Sequence, residues 1–253
     1  MQFARSPDSG RADLAIALGF LCLIASMIGR TSSLSGKGTG KIMTQSAITK
    51  VTLYFDPFCP WTFIASRWLR TVASKTDIPL EFKPFSMAIK NRSKVVTEQF
   101  RSETELSLAA LRVVAKIRAV YDDFEANSLV SEFYLRFGEQ FHIAEARDGT
   151  DLGAILEEFS LKEEILLARD DLALDEVIQE SMTEALALVG DDVGVPIIAI
   201  TSDGSQQGFF GPILCRVPED SEVLELWSHL VGLSQLGCFF ELKRKKFFGP
   251  SVA

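Results

Sequence analysis

The sequence contains few of the residues from which disulfide frameworks and metal centres are built. Of its 253 residues, four are cysteines and two are histidines, His142 and His229, which lie far apart in the chain. The cysteines form no CxxC pair, and they are Cys22, Cys59, Cys215 and Cys238. This spacing argues against a disulfide-rich secreted framework and against a structural zinc site. It is typical of individual thiols in a reducing compartment.

The chain also lacks an excess of positive charge. Lysine and arginine number 26 against 34 aspartates and glutamates, which gives a formal net charge of −8. This balance disfavours nucleic acid or an anionic membrane surface as the main partner. The composition, 47% hydrophobic and 24% charged, is that of a globular protein. The length suffices for one large domain or two small ones.

The N-terminal segment lacks the length of a conventional transmembrane helix. Its apolar run, Leu14 to Ile28, has 15 residues, whereas a membrane span needs about 20. A Gly/Ser/Thr-rich linker follows. Two interpretations stay open: a secretory signal or membrane anchor, or a soluble protein that begins near Met43 after a start assigned too early. We predict that residues 1–49 are an apolar segment and linker that need not belong to the mature protein.

A βαβ unit is predicted at residues 51–85. The apolar run Val51 to Phe55 indicates a buried strand, and residues 78–85 alternate as a second strand would. Between them, apolar residues recur at helical spacing from Pro60 onward. They are Trp61, Ile64, Ala65, Trp68, Leu69, Val72 and Ala73. A strand, a helix and a strand in this order indicate parallel pairing of the two strands.

The remainder predicts a helical block and a return to β-structure. Helical periodicity continues to Gly190, which stands where a C-terminal cap belongs. Residues 195–200 predict a buried strand, residues 202–204 a turn, and residues 206–211 a hairpin partner. An amphipathic helix is expected after Pro218, and a basic helical tail after it. This order predicts an α/β, thioredoxin-like fold with an inserted all-helical domain: residues 50–92 and 187–253 form the thioredoxin-like domain, and residues 93–186 the insertion.

Cys59 falls where the first predicted strand ends and the helix begins. A helix N-terminus carries unpaired N–H groups and a partial positive charge, so we predict a lowered pKa for this thiol. Pro60 suits a first helical turn. Trp61 can shield the site, and Thr62, three residues on, can donate a hydrogen bond to the sulfur. The alternative is a small buried cysteine that only packs.

Val195 and Pro196 stand at the start of a later predicted strand. In a thioredoxin-like fold such a proline is usually cis and faces the reactive cysteine. Ordinary trans prolines at strand starts are the alternative. The sequence therefore predicts that Pro196 completes the site of Cys59.

Five segments together resemble the DsbA-like, mycothiol-dependent nitroreductase family of actinobacteria. They are YFDPFCPWTFIASRWLR, FSMAIKN, VGDDVGVPII, GFFGP and FFELKRKK. The resemblance extends from about Val51 to Gly249 and is weakest in the helical middle. It implies a cytoplasmic homodimer and electrons supplied by a small thiol, mycothiol or a glutathione-like molecule, with no bound cofactor.

The family's active site has the sequence Cys-Pro-Trp-Cys, and this chain departs from it at the last position. The resemblance implies that Cys59 is the nucleophile and that Thr62 replaces the second, resolving cysteine. Cys215 or Cys238 can substitute only if the fold brings one of them within the Cα distance of a disulfide, about 4.4 to 6.8 Å. We therefore expect monothiol chemistry, in which a second small thiol releases the mixed disulfide.

The predicted site has two groups of residues, and His142 and Asn91 belong to it because the resemblance implies it. The catalytic group is Cys59, Thr62, Trp61 and His142. The thiol- and substrate-binding group is Pro60, Asn91, Val195 and Pro196. The alternatives are a packing histidine for His142 and a helix or loop cap for Asn91.

We predict a DsbA-like thiol oxidoreductase that uses Cys59 and a mycothiol- or glutathione-like thiol to reduce a small electrophilic or disulfide substrate. The alternatives are a kappa-class-like thiol-dependent isomerase or transferase and a non-catalytic thiol-binding protein. A membrane-anchored or exported protein is the alternative location if residues 14–28 are a genuine signal or anchor.

Overall fold

Four strands form one sheet in the part of the chain that the computed structural model describes, residues 48–144, 149–161 and 163–252. They are β1 (Ile48–Phe55), β2 (Leu80–Pro84), β3 (Ile197–Ser202) and β4 (Ser205–Phe210). The spatial order is β2-β1-β3-β4. β1 and β2 pair in parallel, whereas β3 is antiparallel to both β1 and β4.

The helices lie before, between and after these strands. In chain order they are α1 (Pro60–Thr76), α2 (Met87–Lys90), α3 (Glu98–Val120), α4 (Asp123–Gly138), α5 (Leu152–Glu158), α6 (Glu163–Leu167), α7 (Leu174–Val189) and α8 (Asp220–Ser234). A π-helical turn, Glu139–Ile143, continues α4, and a 3-10 turn, Ala168–Asp170, continues α6.

The β1–α1 junction follows directly from the sequence. β1 is apolar and its residues Leu53, Tyr54 and Phe55 are fully buried, as expected of a strand covered on both faces. α1 begins at Pro60, whose missing N–H has no helical partner to lose. It ends at Asp77, whose left-handed backbone (φ 55°) terminates the helix. The predicted βαβ unit is confirmed.

The topology is that of a thioredoxin fold with a helical insertion. A parallel βαβ unit pairs through β1 with an antiparallel β3–β4 hairpin, α8 follows, and helices α3 to α7 lie between the two halves. The predicted fold class is therefore confirmed. The division into domains at residues 92 and 186 stays a prediction, because one apolar core contains residues of the sheet and of the inserted helices alike.

The C-terminal half confirms two local predictions. Gly190 ends α7 with φ 87°. Asp203 and Gly204, both at positive φ, make the β3–β4 turn, as a two-residue hairpin requires.

The prediction of a basic helical tail is wrong. Residues 238–252 contain neither helix nor strand. Lys243 to Lys246 are four consecutive cations, and the aromatic residues are adjacent pairs, so helical spacing would give repulsion and no apolar face. The tail is instead attached at its end, where Arg67 donates to the carbonyl of Val252 (2.7 Å) and the Ser251 N–H donates to the carbonyl of Cys215 (2.7 Å).

The predictions for the N-terminal segment cannot be compared with the fold, because residues 1–47 lie outside the described residues. In the ranges that are described, no helix combines the length and the hydropathy needed to cross a membrane.

Candidate active site

Cys59 is the N-cap residue of α1 and is held there by its own backbone. Its N–H donates to the carbonyl of Asp56 (2.9 Å), and its carbonyl accepts from the N–H groups of Thr62 and Phe63, each at 3.1 Å. Only 9% of the residue is exposed. The thiol donates to the carbonyl oxygen of Val195 at 3.6 Å. The sulfur therefore lies between the first turn of α1 and the segment before β3.

The wall opposite Cys59 is formed by Val195 and Pro196. The peptide bond between them is cis, and Val195 is buried. The Pro196 carbonyl accepts the N–H of Gly211 at 2.8 Å, which attaches this segment to the end of β4. The structure thus brings Val195 into direct contact with the predicted nucleophile.

Burial raises the pKa of the Cys59 thiol above its usual value, and the negative charge of Asp56 raises it further. The hydroxyl of Thr62 and the backbone N–H groups of Thr62 and Trp61 act in the opposite direction. The predicted lowering of this pKa is therefore wrong in its net direction. The helix N-terminus favours the thiolate as expected, but the enclosed sulfur loses the water that would also stabilise it.

Thr62 lies three residues after Cys59 in the first turn of α1 and is completely buried. Its hydroxyl forms no well-oriented hydrogen bond with any described residue. A thiolate at Cys59 would offer this hydroxyl a charged acceptor, and that interaction is the largest of those that lower the cysteine's pKa. Thr62 is therefore placed to stabilise the reactive form of the thiol.

Asp56 organises the base of the site. One of its oxygens accepts the N–H of Phe58 (2.9 Å) and the hydroxyl of Ser107, and the other accepts the N–H of Met87 (2.5 Å). Complete burial raises the pKa of Asp56 to about 6 although these hydrogen bonds lower it. The segment between β1 and α1, residues 56–59, is called the cysteine loop. One carboxylate thus connects the cysteine loop with α2 and α3.

His142 lies in the π-helical turn after α4, and 7% of it is exposed. Its Nε2 donates to the carbonyl of Pro57 at 2.8 Å. Its ring stacks on Phe63 of α1, with centroids 5.3 Å apart and an interplanar angle of 24°. His142 therefore contacts the segment before Cys59 through Pro57 and the helix after it through Phe63, and it can hold the cysteine loop in position.

Asn91 follows the last residue of α2. Its amide donates to the carbonyl of Met87 at 2.9 Å, so it acts as a cap of that short helix. It also lines a cavity of about 400 Å³, and Cys59 is not among the residues that line it. The structure thus joins Asn91 to the site through Met87 and Asp56.

Trp61 is half-buried at the start of α1, and the tail reaches it. The Nζ of Lys246 lies 5.1 Å from the centroid of the indole ring, a cation–π arrangement. Nothing in the local pattern pairs Lys246 with a residue 185 positions earlier.

Tyr134 interacts electrostatically with two residues of the site, which its position in the sequence pattern gives no reason to expect. It is fully buried on α4, with its ring centroid 4.3 Å from that of Phe55. Burial raises the pKa of its hydroxyl, and the charges of Cys59 and Asp56 raise it further, so the hydroxyl lies within their field. The sequence pattern of an amphipathic helix indicates only that a tyrosine at a core position is a packing residue.

No disulfide joins the three cysteines that the structure describes. Cys59 is buried, and Cys215 and Cys238 are exposed. Cys22 lies outside the described residues. A resolving role for Cys215 or Cys238 stays untested.

Comparison with known proteins identifies the family of the chain. A model of the Rv2466c-like family, described as mycothiol-dependent nitroreductase Rv2466c, matches residues 58–244. The chain belongs to this family. It is therefore an oxidoreductase, as the sequence predicted.

The individual proteins that resemble the chain share low sequence identity with it. The chain is 26% identical over 202 residues to "Uncharacterized protein Rv2286c" of Mycobacterium tuberculosis, a match that covers 79% of this chain and 83% of that protein. Among solved structures, the cytosolic disulfide reductase DsbM of Pseudomonas aeruginosa is 16% identical, with a TM-score of 0.48 over 72% of this chain and 98% of the other. DsbA of Chlamydia trachomatis is 11% identical, with a TM-score of 0.47 over 74% and 88%. Structural likenesses this low carry no information on activity.

Proposed function

We propose that the protein is a monothiol oxidoreductase in which Cys59 exchanges with a small thiol and reduces a small electrophilic or disulfide substrate. The observation that carries the proposal is the position of Cys59, at the N-terminus of α1 and opposite Val195, with a threonine where a dithiol enzyme has its second cysteine. The family description names mycothiol, which makes mycothiol the first thiol to test. A glutathione-like thiol is the second.

The proposed cycle balances without a second protein cysteine. The Cys59 thiolate attacks one sulfur of a disulfide RS–SR′, the S–S bond breaks, and R′S⁻ leaves with the electron pair and takes up a proton. A thiolate of the small thiol then attacks the RS sulfur of the mixed disulfide and releases Cys59. This step consumes one small thiol and leaves it in a disulfide with RS. A second small thiol attacks the small-thiol sulfur of that disulfide and RSH leaves, so that two small thiols are oxidised to one disulfide for each substrate disulfide that is reduced.

The surroundings of Cys59 favour a small substrate over a protein. Only 9% of the residue is exposed, which leaves little of it accessible to a partner. A disulfide on a folded protein surface would need a wider approach than a free small molecule does. The thiol must also lose its proton before attack, and the thiolate is then stabilised by the Thr62 hydroxyl and by the backbone N–H groups of Trp61 and Thr62.

One observation favours a second candidate. In the structure Cys59 is a hydrogen-bond donor to the Val195 carbonyl, an arrangement available only to the protonated thiol. A kappa-class-like isomerase or transferase would hold its thiol co-substrate without forming a disulfide to the protein, and a protonated Cys59 suits that role. The two candidates differ in whether Cys59 becomes covalently modified during turnover.

Turnover tests the proposal. Reduction of bis(2-hydroxyethyl) disulfide is measured with mycothiol and, separately, with glutathione as the reductant. We expect activity that is lost in Cys59→Ser and retained when Cys215 and Cys238 are both replaced by serine. Equal activity of Cys59→Ser and the wild type would overturn the proposal. Cytoplasmic location and a homodimer stay predictions alongside it.

A further inference from the structure

A cavity of about 400 Å³ lies beside the cysteine loop, between the end of α2, the face of α3 and the 3-10 turn after α6. Its wall includes Phe100 of α3, whose ring packs edge-on against Phe58, the residue before Cys59, with centroids 5.1 Å apart. Asn91, another wall residue, reaches the same loop through Met87. The cavity therefore adjoins the site without surrounding the sulfur.

The cavity is cationic although the chain is acidic. Five basic side chains and two carboxylates, those of Glu105 and Asp170, line it, whereas the whole chain has a net charge of −8. The basic residues are Arg92, Lys94, Arg101, Arg112 and Arg169. A concave surface of one charge sign concentrates ligands of the opposite sign.

The protein's own carboxylates do not neutralise all of these cations. Asp175 accepts from Arg112 at 2.7 Å and from Arg92 at 3.0 Å, so one carboxylate serves two guanidinium groups. Arg169 and Lys94 form no ion pair with any residue in the described ranges. Arg169 is half-buried, and a partly desolvated charge without a counter-ion is unfavourable.

We infer that this cavity binds small organic anions that carry a carboxylate, sulfonate or phosphate group on an apolar body. Arg169 and Lys94 receive the anionic group, and the apolar body packs on the wall formed by Phe100 and Leu108. The volume is that of a small-molecule site. An anion bound here places the rest of the molecule toward the cysteine loop. If Cys59 acts as in the proposed function, on which this part of the inference rests, anionic electrophiles or disulfides are the preferred substrates.

Binding is measured first, because it does not depend on turnover. Isothermal titration calorimetry compares 4-nitrobenzoate with the uncharged 4-nitrobenzamide, a probe of nearly equal shape. We expect the benzoate to bind at least about tenfold more tightly, and Arg169→Gln to remove about tenfold of its affinity while leaving the amide unchanged. Lys116→Gln removes a cation from the same helix, α3, outside the cavity, and should change neither affinity.

The Arg169→Gln variant is suited to this test because its backbone contact is kept. Arg112 donates to the Arg169 carbonyl, which every side chain at that position provides. Unfolding by urea checks that the variant is folded. Equal affinity for the acid and the amide, or loss of benzoate affinity in Lys116→Gln to the same extent as in Arg169→Gln, would overturn the inference.

Reaction rates separate this inference from the proposed function. In a variant with Cys22, Cys215 and Cys238 replaced by serine, Cys59 is treated with anionic 5,5′-dithiobis(2-nitrobenzoate) or with neutral 4,4′-dithiodipyridine. A preference for the anionic disulfide that Arg169→Gln reduces about tenfold supports the inference. Reaction with the neutral reagent at an equal or higher rate, unaffected by Arg169→Gln, contradicts the inference and leaves the proposed function standing. Benzoate binding without any reaction at Cys59 contradicts only the proposed function.

Discussion

At the scale of single residues, Cys59 is subject to opposing influences on the pKa of its thiol. Burial and the charge of Asp56 favour the protonated form, whereas Thr62 and the first N–H groups of α1 favour the thiolate. Because burial is the largest of these influences, the pKa of the thiol lies above its usual value. Its reactivity must then depend on pH over a range above that of an exposed cysteine.

Alkylation of Cys59 by iodoacetamide should therefore rise continuously with pH, without a plateau below about 8.5, the pKa of an ordinary cysteine. Thr62→Ala removes an interaction that lowers the pKa, so the rate at pH 8 should fall about three- to tenfold, since one pKa unit is tenfold in thiolate below the pKa. Thr71→Ala, on the same helix, is the control. Peptide mass spectrometry follows Cys59 alone, and a plateau near pH 7 would contradict this account.

The raised pKa of Asp56 leads to a second prediction, which concerns the pH dependence of the free energy of unfolding. Its pKa is raised from 3.8 to about 6, so the folded state holds a proton that the unfolded state has lost between those values. The contribution of Asp56 to the free energy of unfolding therefore decreases as pH rises from about 4 to about 6. Asp56→Asn should remove this pH dependence. It should also cost about 1 to 3 kcal/mol at pH 7, because the amide N–H₂ would face the Met87 N–H and leave that donor unpaired.

Urea unfolding at pH 4.5 and pH 7 measures both effects. The difference in stability between wild type and Asp56→Asn should be larger at pH 4.5, where the native carboxyl is still protonated in the folded state. Glu225→Gln, on the exposed surface of α8, is the control. A difference that grows from pH 4.5 to pH 7 would show that the pKa of Asp56 is lowered and not raised.

At the scale of elements, the contact between α1 and the end of α4 aligns the cysteine loop. A Cβ on Gly138 would come within 2.1 to 2.7 Å of the Phe63 ring, so this glycine allows the two helices to approach. Phe63 in turn stacks on His142, which holds the Pro57 carbonyl. A displacement of Phe63 is thereby transmitted to the residues just before Cys59.

Gly138→Ala should reduce the free energy of unfolding by about 1 to 3 kcal/mol through overpacking, and it should change the alkylation rate of Cys59. Gly232→Ala is a matched control, because α8 offers open space at that position. There, alanine should stabilise the protein by about 0.5 to 1 kcal/mol, as in any exposed helix interior. Urea unfolding measures both, and equal effects of the two substitutions would contradict the packing argument.

The tail is the second element that acts on the site. Lys246→Ala should expose Trp61 and increase acrylamide quenching of tryptophan fluorescence, because Trp68 and Trp227 are 0% and 4% exposed and contribute little to quenching. The Lys246–Trp61 pair itself should contribute only about 0.5 to 1 kcal/mol. Lys243→Ala is the control, and an identical quenching constant in both variants would argue against the cation–π contact.

The helices, strands and turns were predictable from the sequence where local residues determine them, and the long-range contacts were not. Local patterns sufficed for β1, α1, the β3–β4 hairpin and the end of α7, since each depends on neighbouring residues. The Asp56–Ser107 hydrogen bond joins residues 51 positions apart, and the Lys246–Trp61 contact joins residues much farther apart. Periodicity carries no information on such pairs. The net pKa of Cys59 was mispredicted for the same reason, because its burial depends on the segment at Val195.

At the scale of the whole molecule, charge is distributed unevenly. The chain is acidic overall, yet cations concentrate in the cavity beside α3 and in the tail from Lys243 to Lys246. Both regions contact residues close to Cys59 in the sequence, the cavity through Phe58 and the tail through Trp61. Such an arrangement draws small anions toward the site and keeps anionic macromolecules from the rest of the surface.

We propose that one cysteine, Cys59, completes the thiol exchange cycle. The most direct measurement is the intact mass of the full chain, with Cys22, Cys215 and Cys238 replaced by serine, after incubation with mycothiol disulfide. We predict a single mycothiol adduct on Cys59 that disappears when reduced mycothiol is added. Failure to form an adduct, in protein whose Cys59 still reacts with iodoacetamide, would contradict the claim and favour a non-covalent thiol-binding role.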